Sequence, residues 1–198
     1  MSLALFSCCA KSVNTLSCST LQTNAVFFSI SIHCGEVPMG SNEFEKEPAL
    51  RKAYQEADCI IQFKPERLGH ALLLSNSLAE QLEKRPIPIE CCPTSNVMTL
   101  ELASCHKGNL INGVKKHPQL GRWLENGYPI SINTDDAGLF CTNLTRELLL
   151  VAQAFGLGEK ELGHITMTSL EHAFDPWDEL KPRLRTELRK RIEQISDS

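Results

Sequence analysis

The sequence has no C-x-x-C pair, although it contains nine cysteines, at positions 8, 9, 18, 34, 59, 91, 92, 105 and 141. The count is odd and two of the pairs are sequence neighbours, so neither a disulfide framework nor a cysteine-rich zinc site is expected. The thiols read instead as small buried hydrophobes in a reducing, cytoplasmic compartment. Strong charge of either sign is also missing. The net charge is -4 and the pI about 5.9, which argues against a nucleic-acid partner. The apolar run near the N-terminus, LALFSCCA at 3–10, is too short to span a membrane and lacks the basic segment that opens a signal peptide. No internal repeat or low-complexity tract is evident.

What is present suits one globular domain. The chain has 198 residues, 42% hydrophobic and 22% charged, enough to bury a core. Residues 1–24 hold a single charge, Lys11, and read as a poorly ordered N-terminus or a short targeting segment. The domain is expected over 25–198. There, apolar strands alternate with amphipathic helices. Strands are expected at 25–32, a buried one, and at 59–63, 67–70, 87–92 and 129–132. Helices are expected from Pro48 to Asp58, after a cap at Ser75 or Ser77, over 117–125, and from Asn143 to Gly156. Residues 97–116 read as loop, and the tail as helices near 159–163, 167–174 and 182–195. The alternation implies βαβ units and a parallel sheet.

Each polar motif follows a strand: HCGE at 33–36, RLGH at 67–70, ECCPTSN at 90–96 and NTDD at 133–136. That edge of a parallel sheet is where ligands bind. The adjacent carboxylates Asp135 and Asp136 repel and need a stabilising partner, either a cation or a polar substrate; alternatively one of them caps a helix. His33 suits a metal ligand or a hydrogen-bonded core histidine. Glu36 suits a surface turn or an acid whose raised pKa lets it carry a proton. His70 follows a glycine, which permits close approach of a ligand, and a satisfied core histidine is its other reading. His106, His117, His164 and His172 read as structural or surface residues, and 181–191 as an amphipathic surface helix.

HCGEVP at 33–38, RLGHA at 67–71, ECCPTSN at 90–96 and NTDDAGLF at 133–140 resemble the adenosine deaminase superfamily, in its motif order. HCGEVP and DD-x-G-x-F are most similar to its adenosine deaminase-like (N6-methyl-AMP deaminase) branch. HP-x-x-G-x-W-x-x-x-G at 117–127 resembles the approach to the family's last strand. The likeness runs over about 25–180 and implies the C-terminal half of a (β/α)8 barrel, parallel strands with helices outside. It also implies Zn2+ held by His33 and Asp135, and a hydroxide that attacks C6 of a purine. Glu36 would protonate ring N1, His70 would position the hydroxide, and Asp136 would bind the N7 side of the ring. The substrate would be adenosine, AMP or an N6-methylated nucleotide, and the product of inosine type.

The family's other two zinc ligands form an H-x-H motif, and this sequence contains none. The chain alone is therefore expected to deaminate slowly or not at all, with residues 1–24 a gene-model artefact or alternative start. The alternative is a non-catalytic half-barrel that works only by pairing with another chain. Its open strand edges and an uncovered apolar face would favour self-association.

Overall fold

A computed structural model of the chain describes residues 29–37, 46–104, 108–174 and 180–196. Its elements run β1 (Ser31–Cys34), α1 (Lys46–Phe63), β2 (Arg67–His70), α2 (Asn76–Lys84), β3 (Ile89–Cys91), α3 (Pro93–Thr99), α4 (Leu110–Lys115), α5 (Leu120–Glu125), β4 (Ile130–Ile132), α6 (Leu144–Phe155), α7 (Glu159–Glu171) and α8 (Leu180–Ser196). The strands form one parallel sheet in the order β1-β2-β3-β4. Consecutive parallel strands, each joined to the next through helix, are the arrangement the sequence pattern implies. Among the described residues no helix is long and apolar enough to cross a membrane.

Register divides the sheet into two unlike faces. His33 pairs with Gly69, Gly69 with Glu90, and Glu90 with Ser131. Strand side chains alternate between faces, so these residues share one side. Leu68, Ile89 and Ile130 share the other and are buried in a core with Ala57, Leu78, Val97, Trp123 and Val151. Among the described residues the sheet's apolar side is covered by the core and its other side is polar. On that polar side Arg67 Nε lies 2.6 Å from Glu90 Oε1, off the N–H axis, as an ion pair rather than an aligned hydrogen bond. The Arg67 guanidinium also stacks 3.5 Å from the Phe174 ring centroid, and its Nη1 donates to the His172 carbonyl at 2.8 Å.

Several elements differ from the sequence reading. Residues 59–63 are the last turns of α1, not a strand. Ala53, Ala57 and Ile61 recur at four-residue spacing with exposures of 1%, 0% and 6%, a helical stripe that a short apolar run conceals. The PTSN segment opens α3 with Pro93 in its first turn, where a missing N–H costs nothing. Within the expected loop, the Asn109 side chain accepts from Asn112 N–H at 3.0 Å and caps α4. The tail's first two helices are one, α7, in which Thr166 and Ser169 donate to the carbonyls of Leu162 and Ile165. The strand expected at 25–32 reaches the described residues only as the start of β1. Ser31 and Ile32 are half-buried there, because β1 lies at the sheet edge. Residues 25–28, like 1–24 and His106, lie outside the described residues.

The helix ends elsewhere follow their residues. Ser75 caps α2 by accepting from Leu78 N–H at 3.3 Å. Asn143 caps α6 by accepting from Arg146 N–H at 3.0 Å, and Gly156 ends it at φ 68.

Candidate functional site

Local backbone geometry sets the site at the C-terminal edge of the sheet. His70, the last residue of β2, has φ 58, and Ala71 follows at φ 48. Two successive non-glycine residues in the left-handed region carry strain of order 1–3 kcal/mol each, held only by surrounding bonds. Those bonds are Ala71 N–H to the Cys34 carbonyl at 3.0 Å and Leu73 N–H to the Gly35 carbonyl at 2.8 Å. They tie the β2 exit to the β1 exit and swing His70 toward the loop that carries Glu36. Asp135, beyond β4, is also left-handed, at φ 54, and its Oδ2 accepts from Ser95 Oγ at 2.7 Å.

Three of the five expected site residues meet directly. The His33 and His70 rings stand edge to face with centroids 4.6 Å apart. Glu36 Oε2 lies 3.5 Å from His70 Nε2 and 3.8 Å from His33 Nδ1. Asp135 lines a cleft of about 380 Å³ with His33, Gly69, His70, Cys92 and Thr134, and Glu36 reaches it through His70 without lining it. Asp136 is exposed beside it and does not line the cleft; it acts on the group through its charge. Burial pushes the Glu36 carboxyl above the usual range, the Asp135 and Asp136 charges add to this, and His33 opposes it. Burial, with His33 next in effect, lowers His70 to about 4, so its imidazole is neutral near pH 7.

Two sets of side chains bring three potential metal-ligand atoms within 4.8 Å of one another: His33, Glu36 and His70, and His70, Cys92 and Asp135. His33 and Asp135 fall in different sets, with His70 common to both. Burial raises the Cys92 thiol far above its ordinary value.

The sequence reading missed the groups behind the cleft. Ser95 and Asn96 are 1% and 0% exposed, and Asn96 reaches His70 at 2.9 Å. Glu147 is 1% exposed, yet its carboxylate accepts from Thr94 N–H at 2.9 Å and from the hydroxyls of Thr94 and Thr142, both at 2.5 Å. His117, read as structural, is buried and bonds to Asn96 at 3.2 Å. The available signal was ECCPTSN itself: Ser and Asn directly after a buried strand need partners.

The family model for adenosine deaminase matches residues 52–191. The chain belongs to the adenosine deaminase family. Among curated relatives, the N6-methyl-AMP deaminase of Danio rerio is 30% identical over 174 residues, covering 83% of this chain and 43% of the relative. The N6-mAMP deaminase of Arabidopsis thaliana is 31% identical over 159 residues, covering 79% and 37%. An adenosine deaminase of Shewanella halifaxensis is 30% identical, covering 79% and 41%. Among solved structures, Arabidopsis ADAL complexed with IMP superposes with a TM-score of 0.65 at 27% identity, over 83% of this chain and 41% of that one. The chain thus spans about two-fifths of the length of these relatives. Its four parallel strands and their helices are the partial barrel that the family likeness implies.

Proposed function

We propose that this chain carries the proton-handling side of a zinc-dependent deaminase that converts a 6-aminopurine nucleoside or nucleotide to its inosine-type product. Adenosine and N6-methyl-AMP are the substrates in view, since relatives carry both names. One observation carries the reading: Glu36 Oε2 stands 3.5 Å from Nε2 of His70, and His70 lines one cleft with His33 and Asp135. A carboxyl with raised pKa, a neutral imidazole and two zinc-type donors suit a share of hydrolytic removal of an aromatic amine.

The donor set suits zinc, which takes imidazole nitrogen and carboxylate oxygen; His33 and Asp135 would hold it from this chain. Zinc, when bound, supplies a water of lowered pKa at neutral pH. Glu36, whose carboxyl pKa is raised by burial and by the neighbouring carboxylates against the opposing His33, would deliver a proton to ring N1 as oxygen adds at C6. His70 orients that oxygen. Asp136, exposed beside the cleft, would bind the N7 side of the purine, accepting a hydrogen bond where N7 is protonated. The amine then leaves, as ammonia from adenosine, with one proton of the added water, the other returns to Glu36, and oxygen stays on C6 beside a protonated N1.

The test compares this chain alone with the chain joined to a segment that supplies H-x-H and further strands. Alone it should bind zinc weakly and release little ammonia from adenosine or AMP. Joined, it should bind zinc stoichiometrically and release ammonia. Asp135→Ala should then lose metal and turnover together, whereas Asp136→Asn should keep metal and weaken substrate binding. A joined form that holds zinc but deaminates no 6-aminopurine would contradict the proposal.

A further inference from the structure

Three buried side chains behind the cleft form a hydrogen-bond chain whose direction is set by backbone donors. His117 Nδ1 faces the N–H groups of Gln119 at 3.2 Å and Leu120 at 3.0 Å. Both are obligate donors, so this nitrogen is bare and the proton of the neutral ring sits on Nε2. His117 Nε2 therefore donates to Asn96 Oδ1 at 3.2 Å. A second obligate donor, Cys92 N–H, points at the same oxygen at 3.3 Å. Two independent donors thus fix which end of the Asn96 amide is oxygen, a choice that geometry alone often leaves open. The amide nitrogen must then face His70, and Asn96 Nδ2 lies 2.9 Å from His70 Nδ1. His70 Nδ1 is an acceptor, so its proton sits on Nε2.

We infer that Asn96 and His117 are positioning residues that lock His70 as its Nε2–H tautomer, with that proton aimed at the cleft. The relay begins at the start of α5 and ends 3.5 Å from Glu36 Oε2. Two consequences follow. His70 Nε2 has no lone pair to offer, so neither set of grouped ligand atoms that includes His70 is a three-ligand metal site. His70 instead presents a fixed donor to whatever oxygen occupies the cleft; this meaning rests on the deaminase reading, whereas the bonds do not. All members are buried, Asn96 at 0%, His70 at 1% and His117 at 6% exposure, so water cannot easily replace a lost partner.

The test is long-range proton–nitrogen NMR of the imidazole nitrogens in the chain labelled with nitrogen-15 at histidine. Near pH 7, His70 and His117 should each show a protonated Nε2 and a bare Nδ1. Asn96→Asp replaces the donating amide by a carboxylate that only accepts, so His70 Nδ1 should gain a proton. Should that variant not fold, Asn96→Ala serves, and His70 should become a mixture of both tautomers. A wild-type His70 protonated at Nδ1, or a pure Nε2–H form that survives both substitutions, would overturn the inference. Turnover separates the two claims. The expected tautomer without ammonia release from the joined form leaves the relay standing and ends the deaminase reading, and the converse result does the opposite.

Discussion

His33 lies across Gly69 so closely that a Cβ on residue 69 would stand 2.2 Å from His33 Cδ2 and 2.9 Å from its Nε2. The glycine is a seat for the imidazole rather than a turn. Gly69→Ala must therefore push the ring out of its position over β2. Losses of outer support around a metal ligand typically cost about 10–100-fold in affinity, and a loss in this range is expected for zinc in the joined form. A zinc titration that gives the same affinity for both proteins would contradict the placement of His33 as a ligand.

Glu147 ties the start of α3 to α6 and so holds Ser95 and Asn96 in place behind the cleft. Its carboxylate satisfies one N–H and two hydroxyls from Thr94 and Thr142. Removing it leaves buried donors unpaired, at about 1–3 kcal/mol for each group that water cannot reach. Glu147→Ala should lower stability by roughly 2–4 kcal/mol in urea unfolding. Glu147→Gln should cost less, since the threonine hydroxyls can turn to match the amide. Equal midpoints for Glu147→Ala and the parent would show that the bonds contribute nothing.

Burial, with the nearby His70 as a smaller cause, lowers His117 to about 4 from an ordinary 6.5. The unfolded chain then takes up this proton first. Stability from His117 is complete above pH 6.5 and falls as pH drops toward about 4, by up to roughly 3 kcal/mol. His70, also lowered to about 4, acts in the same direction. Glu36 acts oppositely: its raised pKa makes the folded chain bind its proton sooner, which adds stability as pH falls through the folded value. Denaturation midpoints should fall between pH 6.5 and 4, and His117→Gln should show a shallower fall. An identical slope in the variant would place the acid sensitivity elsewhere.

The parallel sheet and the polar motifs at its strand ends were legible because alternating strands and helices, and the breaks that end them, are local signals. Apolar runs that break into HCGE, RLGH, ECC and NTDD mark β1 to β4 directly, and caps such as Ser75, Asn143 and Gly156 declare themselves by type. Ile60 and Ile61 misled because a short apolar run fits a strand as well as the end of a helix. Only the buried partners of Ala53 and Ala57 decide between them. Asn96, His117 and Glu147 were not recognisable as parts of the site because their roles depend on contacts between residues 26, 21 and 53 positions apart. The H-x-H motif differs in kind: its absence is read from the sequence itself, and the ligands proposed from this chain are His33 and Asp135.

The central claim is that Glu36 handles the proton for a reaction at this cleft. It is tested most directly by ammonia release from a 6-aminopurine in the joined, zinc-loaded form, with Glu36 and with Glu36→Gln at matched zinc content. The amide keeps the shape of the side chain but cannot deliver a proton to ring N1. The account predicts unchanged zinc and a turnover lower by about 10²–10⁴-fold. Near-normal turnover in Glu36→Gln would contradict it.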